Sequence, residues 1–387
     1  MCIRDRVEGG EGAVTLAMAL DIFLILTAYY IIKPVREALV LSLSGANVKA
    51  YLAAGQALLL LLVAVPAYSW VASRVPRRRL ILSVNLFFAA NLVLFWLAGR
   101  LFPGEPWFGA LFYLWVGIFN LMVPAQFWSF ANDWYTPGQG KRLFAIVAFG
   151  ASAGAVLGSQ ITSSLLGPVG LFQLLLLSAG LLVVANALTL VLERRINPAR
   201  GEVASDQTPP ATAHDPSLRK MARGFRLVAT RRYLLLIALL MLFLNWVNTN
   251  GEYILGRVVE ADAARQTAEM VQQQGPDFDA EAYEGQVIGR FYADFFKVVN
   301  VVGLLVQLFL VSRIIGWIGV RGALLVLPCI SLGSYLFIFA NPRQLGIIRW
   351  AKTAENSIDY SLQNTLRQAL FLPTTFEEKY HAKQAID

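Results

Sequence analysis

Thr27-Ala28-Tyr29-Tyr30-Ile31-Ile32-Lys33-Pro34-Val35-Arg36-Glu37 closes a long apolar run that opens near Val14, and the reading of this stretch decides the fold. A run of roughly 20 apolar residues is long enough to cross a bilayer as a helix. Here two cations, a carboxylate and a proline occupy its last turns, where ionised groups are costly. Lys33, Arg36 and Glu37 stand three and four positions apart and share one broad helical face, with Tyr29 and Tyr30 about one turn earlier. Either the helix continues and turns that face onto a polar interior, or it stops at Ile32 and the charged side chains snorkel into headgroups. Apolar sequence resumes at once as Ala38-Leu39-Val40-Leu41, which favours the continuing helix.

The rest of the chain repeats the pattern. Of its 387 residues, 57% are hydrophobic and 15% charged, against about 25% charged in soluble domains, and the mean hydropathy is +0.55. The fold class is therefore all-α: a polytopic helical membrane protein. A formal charge of +8 would suggest nucleic acid in a soluble protein. Here the basic residues fall in short loops between apolar segments, where they set orientation, so no nucleic-acid polymer is expected as a partner. Cys2 and Cys329 are far apart and form neither a CxxC site nor a disulfide framework. His214 and His381 lie in polar stretches, so no metal, cofactor or histidine-based catalytic cluster is expected, and no buried set of nucleophile, base and orienting group can be assembled for an enzyme. The sequence has no GxxxxGK[ST] phosphate loop.

Ten apolar segments can be counted, at 13 to 33 or beyond, 48–71, 80–99, 107–131, 143–165, 168–192, 233–252, 291–315, 320–340 and 345–371. Arg74, Arg77, Arg78 and Arg79, then Lys141 and Arg142, then Arg194, Arg195, Arg200, Arg219, Lys220, Arg223, Arg226, Arg231 and Arg232 fall in alternate connections, as do Arg313, Arg321, Lys379 and Lys383. That asymmetry places them in the cytoplasm of a bacterial inner membrane, with a cytoplasmic N-terminus. The opposite connections are short, apart from an acidic one over 253–290 that carries Glu260, Asp262, Glu269, Asp277, Asp279, Glu281 and Glu284. Residues 196–230 are rich in Pro, Ala, Ser and Thr and read as a linker between an N-terminal six-helix bundle (1–195) and a C-terminal bundle (231–387). Six plus four helices predict a two-bundle, major-facilitator-like transporter truncated from twelve. The first apolar segment has no small-residue cleavage site and is expected to be retained, and Met1–Arg6 looks like an imprecise gene start.

Gly150, Gly154 and Gly158 form a small-residue ridge, expected to pack inside the bundle or to serve as a dimer face; a monomer is expected. Pro34, Pro66 and Pro124 predict bends or local unwinding. Polar residues recur inside the apolar segments. Gln126, Ser129 and Asp133 share a face at the end of the fourth, and Asp133 is read as a substrate contact or as a helix-end partner of Arg74 or Arg142. Asn248 and Glu252 stand one turn apart in the seventh, where unpaired amides in lipid would be costly. Asp294 and Lys297 are spaced for a local ion pair. In the tenth, Lys352, Glu355, Asn356, Asp359, Gln363 and Arg367 form one polar stripe, which lines a cavity or marks an amphipathic helix lying at the surface. Lys352 and Arg367 would attract anions there, while Glu355 and Asp359 would neutralise the empty site or bind a proton or counter-cation.

Three stretches carry a family resemblance: Tyr30-Ile31-Ile32-Lys33-Pro34-Val35-Arg36-Glu37-Ala38-Leu39, Trp128-Ser129-Phe130-Ala131-Asn132-Asp133, and Glu355-Asn356-Ser357-Ile358-Asp359-Tyr360-Ser361-Leu362 followed by Phe371-Leu372-Pro373-Thr374. The chain resembles, from Leu16 onward, the nucleotide transporters typified by the ATP/ADP translocases of intracellular bacteria and plant plastids. The resemblance implies twelve helices and exchange of ATP for ADP, or nucleotide import with a coupling ion.

The leading expectation is secondary transport or exchange of a nucleotide, or another phosphorylated anion, by alternating access. Tyr30, Lys33, Arg36, Asp133, Asn248, Glu252, Lys352, Glu355, Asp359 and Arg367 are the candidate substrate-binding residues. The alternatives are a facilitator of another organic anion and a non-transporting membrane scaffold or sensor.

Overall fold

The computed structural model describes residues 11–72, 74, 77–135, 137–196, 226–275 and 278–371. Met1–Arg6, most of the 196–230 linker, Asp277, Lys379, Lys383 and both histidines lie outside the described residues, as do the side chains of Arg77, Arg78, Arg79, Ser129, Asp133, Lys141 and Arg142.

The opening stretch is helical throughout. Helix α1 (Glu11–Leu43) runs without interruption past Ile32 and through Pro34. The missing proline N–H removes one backbone bond. Close packing on three neighbouring helices offsets that loss: α1 packs most extensively against α6 (Pro137–Val169), then α7 (Leu171–Ile196) and α5 (Pro106–Trp134). The second crossing comprises α2 (Gly45–Leu59), one π-helical turn (Leu60–Ala64) and α3 (Val65–Ala72). The widened turn lies where Pro66 cannot donate to its own preceding turn. Helix α4 (Arg77–Leu101) follows and packs against α7. A single residue, Gly170 at φ +89°, separates α6 from α7, a backbone conformation that favours glycine.

The acidic connection over 253–290 is mostly helix, which corrects the sequence map. Helix α8 (Arg232–Gln274) is 43 residues long, a rod of about 65 Å and so about twice the ~30 Å hydrocarbon thickness. Glu260, Asp262 and Glu269 lie on it, and Glu281 and Glu284 lie on α9 (Ala280–Phe309). Ala, Glu, Gln and Arg are good helix formers whether or not they alternate with apolar residues. Asp262 also accepts hydrogen bonds from Arg265 at 2.6 Å and Gln266 at 2.8 Å along its own helix face. Gly275 at φ +87° ends the rod, and the Asp279 carboxylate accepts the Ala282 N–H at 3.0 Å to open α9.

Helix α10 (Val311–Ala340) carries Arg313 and Arg321, which the sequence map places in a loop, and it breaks at Gly319 (φ 68°, ψ 173°). The last crossing joins α11 (Leu345–Ile358), a π-helical turn (Asp359–Gln363) and α12 (Asn364–Leu370). Nine helices among the described residues are long and apolar enough to span a bilayer. All regular structure among the described residues is helical. Large apolar side chains such as Leu62, Phe87, Leu94, Leu332, Phe337 and Phe339 face outward along these helices. So much exposed apolar surface suits lipid and is rare in soluble monomers.

The chain divides into two compact units, Met1–Thr208 with Glu260–Lys297, and Pro209–Val259 with Val298–Asp387. In the first unit the glycine ridge is a packing surface. A Cβ at Gly150, Gly154 or Gly158 would run into the backbone carbonyl of Ala19, Phe23 or Thr27 respectively, so α6 lies directly on the α1 backbone. An aromatic core from Phe88, Phe95, Phe108, Phe112, Trp115 and Phe119 fills the space between α4 and α5, with ring centroids 5.0 to 6.5 Å apart. Each such pair contributes about 0.5–1.5 kcal/mol beyond area burial. Segment Glu260–Lys297 belongs to this unit through particular contacts. Ala46 N–H donates to Glu260 Oε2 at 3.3 Å, and a Cβ on Gly289 would meet Leu166, Leu171 and Ala38.

The second unit has α10 packed on α11. One apolar cluster joins Val306, Val311, Ala323, Leu362 and Leu366, and another joins Val228, Leu234, Ile237, Met241 and Phe371.

Candidate functional site: a buried charge cluster in each unit

In the first unit α1 presents Tyr30, Lys33, Arg36 and Glu37 to the bundle interior. Lys33 is 8% exposed and Glu37 2%. The Lys33 ammonium lies 3.9 Å from the Phe296 ring centroid, 5.2 Å from that of Tyr30 and 6.0 Å from that of Tyr29, so aromatic faces surround it. Arg36 stacks over Tyr113 at 4.7 Å and forms an ion pair with its neighbour Glu37. Lys49 of α2 approaches the same carboxylate, with Nζ 2.6 Å from Oε2, and lies over the Tyr292 ring at 5.4 Å. The cluster therefore pairs two cations with Glu37, and Lys33 lies one turn earlier on α1. Sequence reading missed Lys49, a lone cation near the start of an apolar segment whose helix carries no acidic residue.

Asp294 and Lys297 form the local ion pair expected, at 3.0 Å, and Ser163 of α6 donates to Asp294 at 2.6 Å. Gln126 is buried, with both amide atoms lacking a hydrogen-bond partner, whereas Asp133 closes α5 with its side chain outside the described residues.

In the second unit the predicted polar stripe is buried, which excludes the surface-helix alternative. Lys352, Glu355, Asn356, Ser357, Ser361 and Gln363 are all buried, and Lys352 is fully so. Its Nζ donates to Asn248 Oδ1 at 2.9 Å and to Glu355 Oε2 at 3.0 Å, and stands 3.9 Å from Glu252 Oε1. Asn356 Nδ2 donates to the same Glu252 oxygen at 3.0 Å. Candidates from α8 and α11 are thus brought together by contact.

Gly251 makes room for the cluster, because a Cβ there would sit 2.7 Å from Lys352 Nζ and 3.1 Å from the Tyr335 hydroxyl. That hydroxyl donates to the Val247 carbonyl at 2.5 Å. Asp359 and Arg367 are half-buried and make no hydrogen bond or ion pair among the described residues. The π-helical turn between Ile358 and Asn364 moves Arg367 off the register that an unbroken helix would give it. Gln363 on that turn is buried, with neither amide atom bonded.

The two clusters have opposite balance, cation-rich around Glu37 and carboxylate-rich around Lys352. Ionisable side chains inside membrane helices mark solute or ion pathways. Among the described residues no group of three His, Cys, Asp or Glu side chains is placed to hold a metal ion.

No family model matches the chain, and no curated protein matches it. Solved structures do. The chain is similar to the crystal structure of a bacterial homolog of the human lysosomal transporter Spinster, in an inward-facing and unoccupied conformation. That likeness has a TM-score of 0.52 at 17% identity and covers 98% of this chain and 79% of that one. The same homolog in its inward-facing, occupied conformation aligns with a TM-score of 0.47 at 17% identity, over 95% of this chain and 79% of that one. The first of these likenesses establishes the fold, a major-facilitator-like, two-bundle, multi-pass membrane protein. Neither of these two structures is described as a nucleotide exchanger.

Proposed function

We propose that this chain is a secondary transporter that moves a small organic anion across the membrane by alternating access. The observation that carries the reading is the largely buried set of Arg36 and Lys49 paired with Glu37, with Lys33 one turn earlier, an arrangement costly to keep in a membrane interior and suited to an incoming anion. Lys352 serves the same role in the second unit. Empty, it is neutralised by Glu355 and Glu252; an anionic group would compete with Glu252, which Asn356 stands ready to hold. Asn248 orients the ammonium, Asp359 and Arg367 extend the polar path, and Asp133 lies at the end of α5 where a path would meet the cytoplasm.

Within that class we favour a phosphorylated solute. Arginine and lysine bind phosphate through charge-assisted hydrogen bonds, and Tyr29 and Tyr30 offer ring faces to a base. ATP/ADP exchange is the specific form that the motif resemblance suggests, in a bacterial inner membrane with the start of α1 on the cytoplasmic side.

Proteoliposomes holding the full chain and loaded with ADP test this, with labelled ATP outside and unlabelled organic anions as competitors. Saturable ATP uptake that ADP suppresses supports exchange. Uptake suppressed only by another anion keeps the transporter and reassigns its solute. Absence of any anion flux from correctly inserted protein sinks the proposal.

A further inference from the structure

A second buried carboxyl stands on α1, apart from the Glu37 cluster. Asp21 is 1% exposed and lies 12 positions before Lys33, about 18 Å along the helix. Its Oδ2 is 3.0 Å from Thr189 Oγ1 of α7, and its Oδ1 has no hydrogen-bond partner among the described residues.

Among the described residues the surroundings hold no charge to balance an anion. From 143 to 169 on α6 and from 171 to 192 on α7 there is no ionisable side chain at all. Helix α5 offers Tyr113, which lies under Arg36, and Asp133 at its far end; Tyr135, just beyond, reaches Thr15 at 3.3 Å. On α2 the nearest cation, Lys49, is paired with Glu37. Lys141 and Arg142 on α6 and Glu193, Arg194 and Arg195 on α7 flank the uncharged stretches, with side chains outside the described residues. Thr189 is thus the polar group that Asp21 meets.

The proton count at Thr189 then matters. Its hydroxyl has one proton, yet the oxygen lies 3.1 Å from the Ala185 carbonyl as well as 3.0 Å from Asp21. A carbonyl can only accept. Two full hydrogen bonds there require Thr189 to donate to Ala185 and the Asp21 carboxyl to donate to Thr189; with Asp21 ionised, the single hydroxyl proton is shared between two acceptors. Ionised, Asp21 would share one hydroxyl proton and have a bare Oδ1 and no cation among the described residues, an unfavourable way to bury a charge.

We propose that Asp21 is a proton-binding site and that its proton is the ion coupled to solute movement, a step that rests on the transporter reading above. When the α1–α7 seam opens to water, the carboxyl O–H breaks, the proton passes to water and the carboxylate is solvated. Closing the seam on the anion is unfavourable until a proton returns, so closure and proton uptake occur together.

The test is infrared difference spectroscopy of the purified full chain in lipid, titrated from acid to alkali, beside proteoliposome flux of labelled ATP. The wild type should show the carbonyl band of a buried neutral carboxyl that is lost on alkalinisation. Asp21→Asn, which preserves shape and donor, should lack that band. Thr189→Val should keep it at a shifted frequency, because the acceptor of the carboxyl proton is gone. A band unchanged in Asp21→Asn overturns the proton site. In the flux assay an inward proton gradient should drive ATP accumulation in the wild type, and Asp21→Asn should lose accumulation while retaining ATP/ADP counterflow. Accumulation retained in Asp21→Asn overturns the coupling. If neither protein moves ATP, the nucleotide reading fails and proton coupling of ATP movement with it, and the infrared result still decides the proton site.

Discussion

Lys49 Nζ lies 2.6 Å from Glu37 Oε2, which ties the second crossing to the first through an ion pair inside the bundle. Glu37 also pairs with Arg36, so its loss strands two cations at once. Breaking a buried pair by removing one partner costs about 3–5 kcal/mol. Glu37→Gln should therefore unfold at markedly lower temperature in detergent, and Glu37→Gln with Lys49→Met should recover part of the loss. Melting of Glu37→Gln at the wild-type temperature would show that the pair is not structural.

Lys352 sits in a space that Gly251 leaves open, and that space is sized for a compact ammonium. Arginine presents a wider planar fork that would press on Gly251 and Tyr335. Lys352→Ala and Lys352→Arg should both abolish anion uptake normalised to inserted protein. Gly251→Ala, whose new methyl would meet Lys352 Nζ, should reduce it in the same direction. Full uptake by Lys352→Arg would contradict the assignment of this cluster to the solute path.

Gly154 faces the Phe23 backbone with no side chain between them. Overpacking of this kind costs about 1–3 kcal/mol for a modest insertion and more for a large one. Gly154→Ala should lower the yield of monodisperse protein and Gly154→Leu should abolish it, as read by size-exclusion chromatography. The outward-lying Gly180, where an added Cβ meets nothing within 4 Å, is the control.

Gly319 holds φ 68° and ψ 173°, a region that residues with a side chain occupy only under strain. Gly319→Ala should cost about 1–3 kcal/mol, seen as a lower melting temperature. Gly316→Ala, in open space at ordinary φ, should be neutral or slightly stabilising. Equal melting of the two variants would rule out a strained break.

The crossings were legible because lipid imposes long apolar runs, and α1 through Pro34 could be read from the apolar residues that follow Glu37. The second half of α8 was not, since Glu260 to Gln274 forms helix by propensity and local pairing without an apolar face that hydropathy detects. At the site, Lys352 and Glu355 announced themselves by helical spacing, and Asn248 and Glu252 by their polarity in an apolar segment. Lys49 and Asp21 did not, because each is a single ionisable residue whose partner lies on another helix, and for Asp21 that partner is 168 positions away. The π-helical turn at Asp359–Gln363 has no signature in residue type, yet it rotates everything after it, so the stripe's regular spacing overstated how far Arg367 shares a face with Lys352.

The glycine seam between α1 and α6 has a mechanical consequence. Backbone rests on backbone at Ala19, Phe23 and Thr27, so at these three points no side chain lies between the helices to change rotamer and admit water or let one slide past the other. The two helices must travel as a single plank. Hydration of Asp21 then has to come from the α7 side, where a lone threonine hydroxyl is the latch, and Thr189 becomes the residue at which the timing of proton release is set.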